Sequence, residues 1–392
     1  MTHATHTPSL ESATKLFESH FGLKPAARAS APGRLEVLGN HTDYNEGFVL
    51  SCAVELRTYA VVAQLPGTTV RIISGAAPKE QQFDLSEADA PRQPGTPKRW
   101  ADYIRGVVAA LGRRGVKVPA FALAVDSSVP LSAGMSSSAA LEISVQLALL
   151  KMLGQTLTPG QMAAVGQEAE SRAVGAQTGL MDQLTSTLGR KDGLLMSEYR
   201  DLTTSIVPMS SGYTWVVVDT GEKHDLAEDY NLRRASCERT AAKLAAKRAG
   251  VKTLRDVAVA DLDANKDALG EDGVFARHPV EENARVHEAV ALLGKGDVAA
   301  FGKLLFDSHQ SSRVNFRNSS DRLDELVEYA AFDKRCIGAR LSGGGFGGIS
   351  IHLVRQAEAE GYAKDIARHF EKIWGKQPWN LICPLGDGAR VE

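Results

Sequence analysis

Asp182 lies among Leu180, Met181 and Leu184, where an ionised carboxylate needs a cationic partner, and Arg34 carries a guanidinium able to serve. A carboxylate held this way can take the proton of an attacking hydroxyl. Glu168 and Glu170 precede it, and a chain folding back there could bring Glu170 to a metal and Asp182 to the nucleophile. Solvated helix charges are the plainer account of the two glutamates. A second string, Asn40-His41-Thr42-Asp43-Tyr44-Asn45-Glu46-Gly47, follows Arg34-Leu35-Glu36-Val37-Leu38 and crowds donors and acceptors at one strand mouth. Such a set suits a polyhydroxylated ligand, since each sugar hydroxyl wants a donor and an acceptor. The same residues also build a solvated turn.

Pro130-Leu131-Ser132-Ala133-Gly134-Met135-Ser136-Ser137-Ser138-Ala139 leads from a strand into a long helix. Small residues entering a helix expose backbone N–H groups at its positive end, a seat for phosphate. Ser138 could also offer its hydroxyl to Mg²⁺, an ion that prefers oxygen ligands. A serine-rich N-cap would look the same. No G-x-x-x-x-G-K-[ST] loop occurs, so a phosphate cradle here belongs to another fold. In Ser342-Gly343-Gly344-Gly345-Phe346-Gly347-Gly348, a formal G-x-G-x-x-G is followed by the strand-like Ile349 to Val354 rather than by a helix. That context rejects a dinucleotide fold. The run reads as a tight connection where backbone approaches a ligand or another backbone, or as a plain hairpin.

The elements that must position these groups are strands and helices mixed through both halves, which gives an α+β class. Short β-like stretches fill Ala29 to Val70. The Pro-rich stretch Ala76 to Arg99 reads as an exposed connection before an amphipathic helix from Trp100 to Leu111. A buried strand at Phe121 to Val125, helices at Ser136 to Leu153 and Pro159 to Val174, and a further helix after Gly179 complete the first half. Beyond a boundary placed at 210, helices are expected at Leu232 to Ala249, Val280 to Leu293, Val298 to Ser308 and Leu323 to Ala331. Strands are expected at Trp215 to Val218, Ile337 to Leu341 and Ile349 to Val354. The expected domains are 1–210 and 211–392.

With 392 residues, 43% hydrophobic and 23% charged, the composition is that of an ordinary globular chain of two domains. Forty-five Lys+Arg against 47 Asp+Glu leave a net charge of −2, too small a field to attract nucleic acid or an anionic membrane. Cys52, Cys237, Cys336 and Cys383 are scattered without C-x-x-C spacing, so a reducing compartment fits best. Neither a secretory h-region nor a run of ~18 apolar residues is found, and the expected location is cytoplasmic.

Together the strings resemble the signature set of the GHMP small-molecule kinases, most closely the branch that phosphorylates galactose. The stretch from Gly33 to Gly47 resembles G-R-V-N-L-I-G-E-H-T-D-Y-N-x-G, that from Pro130 to Ser138 resembles P-x-G-x-G-L-S-S-S, and the glycine run resembles the C-terminal G-G-G-F-G-G. Pro94-Gly95-Thr96-Pro97, Trp100-Ala101-Asp102-Tyr103, Gly179-Leu180-Met181-Asp182-Gln183 and Tyr230-Asn231-Leu232-Arg233-Arg234 also fall where that family has similar strings. The resemblance implies a domain like ribosomal protein S5 domain 2, followed by a ferredoxin-like domain, with the active site between them. It implies ATP and Mg²⁺ as cofactors and galactose as the sugar, in a monomer or weak oligomer. Arg34, Asn40, His41, Asp43, Gly179, Asp182 and Tyr230 would surround the sugar. Trp100 would lie near adenine, with Gly134, Ser136, Ser137, Ser138, Gly344 and Gly345 on the nucleotide, and Ser138 and Glu170 would help bind magnesium.

Three departures from the pattern matter: Asn40 stands for Glu, Ser132 for the first Gly of the phosphate loop, and Met135 for Leu. An amide donates as well as accepts and carries no charge, so Asn40 leaves open which sugar hydroxyl that position reads. The implied reaction is ATP-dependent phosphorylation of the anomeric hydroxyl, with Asp182 as proton acceptor and Arg34 as its counter-ion. A kinase of another galactose-like sugar and a sugar sensor with little catalysis are the alternatives. The intact Ser137-Ser138-Ala139 favours the enzyme. The His41-Thr42-Asp43-Tyr44-Asn45 string argues against mevalonate or homoserine as substrate.

Overall fold

The computed structural model describes residues 7–90, 99–131, 133–175, 179–222 and 227–392. Ser132 and the Pro94 to Pro97 string lie outside them. Contacts divide the chain into two discontinuous units. One comprises Met1–Arg34, Ala53–Gly189 and Gly386–Glu392, the other Leu35–Cys52 and Arg190–Leu385. This differs from a linear 1–210 and 211–392. The reason is strand pairing within the second unit, where Gly193–Glu198 hydrogen-bonds to the start of the strand Phe48–Gln64 in the register Phe48 to Glu198.

In the first unit, Phe48–Gln64 pairs antiparallel with Phe121–Ser127, which pairs parallel with Thr69–Ser74. A parallel neighbour requires a crossover, and the helix Trp100–Arg113 lies in that connection. Alternation sorts the strand residues to two faces. Val62, Leu123 and Ile72 meet Ile104, Val107, Val145, Leu149 and Val165 of the helices Trp100–Arg113, Ser137–Met152 and Pro159–Val174. Val61, Ala122 and Ile73 meet Ala13 and Phe17 of a helix Leu10–Phe21 that the sequence pattern had not announced. Gly106 lets two of these helices touch, because a Cβ there would stand 2.7 Å from the Ala169 Cα. That contact seats Glu170, the next residue.

The second unit holds a four-stranded antiparallel sheet in the order Trp379–Cys383, Tyr213–Asp219, Ile349–Arg355, Cys336–Ser342. Helices Asp321–Phe332 and Ala359–Trp374 cover it through Leu326, Tyr362, Ile366 and Phe370. A separate helical cluster joins Ala227–Ala245 to Glu271–Gly294 around Phe275, Val280 and Phe316. The glycine run connects Cys336–Ser342 to Ile349–Arg355 as a hairpin, in agreement with the strand expected after Gly348.

Two local expectations need correction. Ala77–Asp84 is not loop but an edge strand against Thr69–Ser74. An edge position tolerates Pro78 and a mostly polar sequence. The helix expected from Val280 begins at Glu271 and carries Pro279 inside it. Burial of Phe275 and Ala276 in the helical cluster offsets the lost backbone bond.

Candidate active site

In the first unit, the strand Ala27–Leu38 delivers Arg34 and the helix Met181–Leu188 delivers Asp182. Arg34 Nε donates to Asp182 Oδ1 at 2.7 Å and Nη2 to Oδ2 at 2.8 Å. This two-point pairing is the fixed geometry that a guanidinium offers a carboxylate. Arg34 Nη1 also donates to the Gly134 carbonyl at 2.6 Å, and the Arg34 amide to the Met135 carbonyl at 3.1 Å. Gly33 allows the latter approach, since a Cβ there would stand 2.9 Å from the Met135 oxygen. Arg34 is only 6% exposed, so the carboxylate offsets much of the cost of burying its charge.

Ser136 precedes the helix Ser137–Met152 with φ at 53°, a left-handed conformation uncommon for serine. Its hydroxyl donates to Asp182 Oδ2. Asp182 thus stands beside the N-terminus of a long helix whose first amides are oriented for phosphate. In the same unit, Ser138 Oγ donates to Glu170 Oε1 at 2.8 Å, and Gln183 Nε2 donates to Glu170 Oε2 and to Glu142 Oε2, both at 3.0 Å. Burial, then the charge of Asp182, raises the Glu170 pKa against its bonds from Ser138 and Gln183. Burial, then Glu170, pushes Glu142 well above the usual carboxylate range. Glu168 instead turns to Arg113 and Arg114 on the surface. Gly179 lies just ahead of the Asp182 helix, and Trp100 opens the helix Trp100–Arg113 with its buried Nε1 unpartnered.

Ser138 and Glu170 form an all-oxygen set suited to Mg²⁺. Among the described residues no three His, Cys, Asp or Glu side chains gather as a metal cage. An ion here would take its remaining ligands from phosphate and water, as Mg²⁺ usually does.

The second unit holds the other group. His41, in a left-handed conformation with φ at 62°, is packed by Phe316, Tyr230 and Tyr44 at ring-centroid distances of 4.3, 5.2 and 5.8 Å. Burial lowers its pKa to about 3, so the ring is neutral throughout the physiological range. Asp43 opens the short turn Asp43–Asn45, half-buried. Asn40 Nδ2 donates to Glu36 Oε2 at 2.7 Å and to the Gly343 carbonyl at 2.9 Å. Asn318 Nδ2 reaches Asn40 Oδ1 at 3.2 Å and the Gly344 carbonyl at 3.1 Å, and Gly345 packs on the Asn318 backbone.

The backbone amides of Gly39 and Asn40 donate to Glu282 Oε2 at 2.9 and 3.2 Å, and Arg285 Nη1 reaches Oε1 at 2.8 Å. Burial alone would raise the Glu282 pKa, but His278 and the guanidinium groups of Arg285 and Arg340 bring it down to about 2. Its stabilising effect is therefore complete above the ordinary glutamate value of 4.5 and fades as pH falls toward about 2. Glu282→Gln should cost about 3 kcal/mol at neutral pH and flatten the acid limb of a plot of Tm against pH. An unchanged acid limb would remove Glu282 from that role.

Sequence reasoning passed over Glu36, Glu142, Gln183, Glu282 and Asn318. Gln183 lay inside a quoted string, and Glu36 occupies a place where the quoted signature has Asn. Glu142, Glu282 and Asn318 belong to no string and meet their partners only through tertiary packing.

An arginine–aspartate pair beside a serine-entered helix N-terminus, in a two-unit α+β chain, defines a small-molecule phosphotransferase of the GHMP type. Family models described as "GHMP kinases N terminal domain" and "GHMP kinases C terminal" match residues 102–190 and 289–372, and "Galactokinase galactose-binding signature" matches residues 15–64. The galactokinase of Actinobacillus pleuropneumoniae serotype 3 is 38% identical over 97% of this chain and 98% of its own, and that of Homo sapiens is 37% identical over 97% and 96%. A crystal structure of Lactococcus lactis galactokinase complexed with galactose superimposes with a TM-score of 0.90 at 28% identity, covering 97% of this chain and 99% of that one. The chain belongs to the galactokinase family.

Proposed function

We propose that the chain transfers the γ-phosphoryl group of ATP to the anomeric hydroxyl of α-D-galactose, giving galactose 1-phosphate, ADP and a proton. The observation that carries this reading is Asp182, held at two points by Arg34 beside the N-terminus of the helix Ser137–Met152. A carboxylate is a weak base toward a free alcohol. The proton of the C1 hydroxyl therefore passes to Asp182 as the O–P bond forms and the hydroxyl acidifies, in keeping with a loose phosphoryl-transfer transition state. Arg34 fixes the Asp182 oxygens and supplies positive charge close to the reacting group. Amides at the start of the helix, with Gly134 and Ser136 to Ser138, receive phosphate. Trp100 borders adenine, and Gly344 and Gly345 complete the nucleotide contacts. His41, Asp43, Gly179 and Tyr230 read the sugar.

Mg²⁺, when bound at Ser138 and Glu170, neutralises charge on the transferring phosphates. Glu170→Gln should raise the Mg²⁺ concentration for half-maximal turnover by about tenfold, a loss within the reach of one ligand. Titration of activity with Mg²⁺ at saturating ATP reads this directly, and an unchanged midpoint would clear Glu170 of the role. The small net charge, the four free cysteines and the absence of a long apolar helix among the described residues support a small-molecule enzyme of the cytoplasm, monomeric or weakly oligomeric.

Coupled ADP release over free sugars tests the reading: galactose, 2-deoxygalactose, glucose, N-acetylgalactosamine and arabinose. Galactose-dependent turnover is expected, with the product phosphate on the C1 oxygen. Sugar binding without turnover would favour a sensor instead.

A further inference from the structure

The family signature has Asn where this chain has Glu36, and Glu where it has Asn40. The two departures are one exchange, because the residues meet. Asn40 Nδ2 donates to Glu36 Oε2 at 2.7 Å, and the same oxygen accepts the Gly343 amide at 3.0 Å. The other hydrogen of Asn40 Nδ2 goes to the Gly343 carbonyl at 2.9 Å, which closes a ring of three residues. Ser342 ties the ring to the strand, its Oγ accepting the Glu36 amide at 3.0 Å and donating to the Glu36 carbonyl at 3.1 Å. Glu36 is 3% exposed and Asn40 2%.

Donor and acceptor arithmetic shows what the exchange preserves and what it moves. A carboxylate only accepts, whereas an amide does both. Glu36 can take the Gly343 amide and an Asn40 hydrogen, and an asparagine at 36 could take the same amide and donate to a glutamate at 40. Either order gives one acceptor-only group facing one mixed group. Two carboxylates would set like charges together in a buried place. The order found here puts the charge on Glu36, where protein groups hold it, and leaves position 40 neutral with both amide hydrogens committed.

We infer that Glu36 and Asn40 form a specificity-determining pair: the exchange withdraws a carboxylate from the sugar-reading segment, so this chain tolerates loss of one galactose hydroxyl that a glutamate at 40 would read. This rests on the reading of Asn40 to Asp43 as sugar-contacting. A site built to hydrogen-bond a hydroxyl rejects an analogue lacking it strongly, because its own buried group is then left unpaired. A position whose hydrogens are already satisfied has no such penalty to impose.

The test measures kcat/KM for galactose and its 2-, 3-, 4- and 6-deoxy analogues in the wild type, Asn40→Glu, and the double exchange Glu36→Asn with Asn40→Glu, each with a thermal melt. Asn40→Glu alone should melt lower and lose turnover through its paired carboxylates. The double exchange should melt above Asn40→Glu alone and phosphorylate galactose. Its discrimination against one deoxy analogue should rise about 100-fold over the wild type. A double exchange that folds and turns over galactose with the wild-type analogue profile would overturn the inference. So would one that melts no higher than Asn40→Glu alone, since an amide again faces a carboxylate across positions 36 and 40. Absence of galactose turnover in the wild type is a different result, and it removes the functional reading itself.

Discussion

Replacing Asp182 by Asn is expected to lower kcat by about 10³-fold, within the range that a positioned proton acceptor contributes. The side chain keeps its size, so the change removes charge and proton affinity while leaving shape. Its amide would also turn N–H hydrogens toward the Arg34 guanidinium, which has only donors to offer. Arg34 is 6% exposed, and a buried guanidinium without its counter-ion costs about 3 kcal/mol or more. A melting measurement therefore accompanies the kinetics, performed well below the variant's transition. ATP affinity should be largely retained, because the phosphate contacts proposed above lie on the helix Ser137–Met152 and its approach. Near-normal turnover in a folded variant would reject Asp182 as the proton acceptor.

Gly345→Ala should be more damaging than a methyl added at Gly347 or Gly348 of the same run. Gly345 has φ at +83°, and a Cβ there would fall 2.1 Å from the Asn318 carbonyl oxygen and 2.8 Å from Nδ2. No rotamer change relieves contact with backbone. The same carbonyl accepts the Phe346 amide at 2.5 Å, so the carbonyl and the glycine run must move together. Displacing Asn318 also loosens its bond to Asn40. Left-handed strain together with the overlap should cost about 3 kcal/mol, lowering Tm by roughly 6–12 °C. The KM for ATP should rise as well, given the nucleotide role proposed for this run. A melting temperature within 2 °C of the wild type, a loss of only about 0.5–1 kcal/mol, would mean that the run yields more easily than its contacts indicate.

Helices with strong local signals were legible in the sequence. Pro159–Val174 has Thr158 and Gln161 exchanging hydrogen bonds at its start, Pro at its first turn and Gly175 at its end. The edge strand Ala77–Asp84 was not legible, because most of its side chains are polar, Phe83 alone is buried, and no apolar alternation marks it. Partners far apart in the chain divide in the same way. Arg34 and Asp182 are 148 positions apart and were joined only because an isolated buried carboxylate demands a cation. Glu282 has no such signature. It stabilises the turn after Leu38 by accepting two backbone amides, and backbone amides look the same in every sequence. Glu36 shows a third kind of illegibility: one departure from a pattern was noticed at position 40, while its counterpart four residues earlier makes sense only once the two side chains are seen to touch.

The first unit takes strand residues from Gly386–Glu392. Arg390 and Val391 pair with Ser30 and Ala29, and Arg57 donates to the carbonyls of Asp387 and Gly388 at 2.6 and 2.8 Å. During synthesis, every residue of the second unit must emerge from the ribosome before this strand can be added. The first unit then waits with an open β edge and an Arg57 that has Ser30 but lacks the two carbonyls of Asp387 and Gly388, a species for chaperones to shield. A fusion placed directly after Val391 would burden the closing step of folding, whereas one placed before Leu10 would leave it untouched.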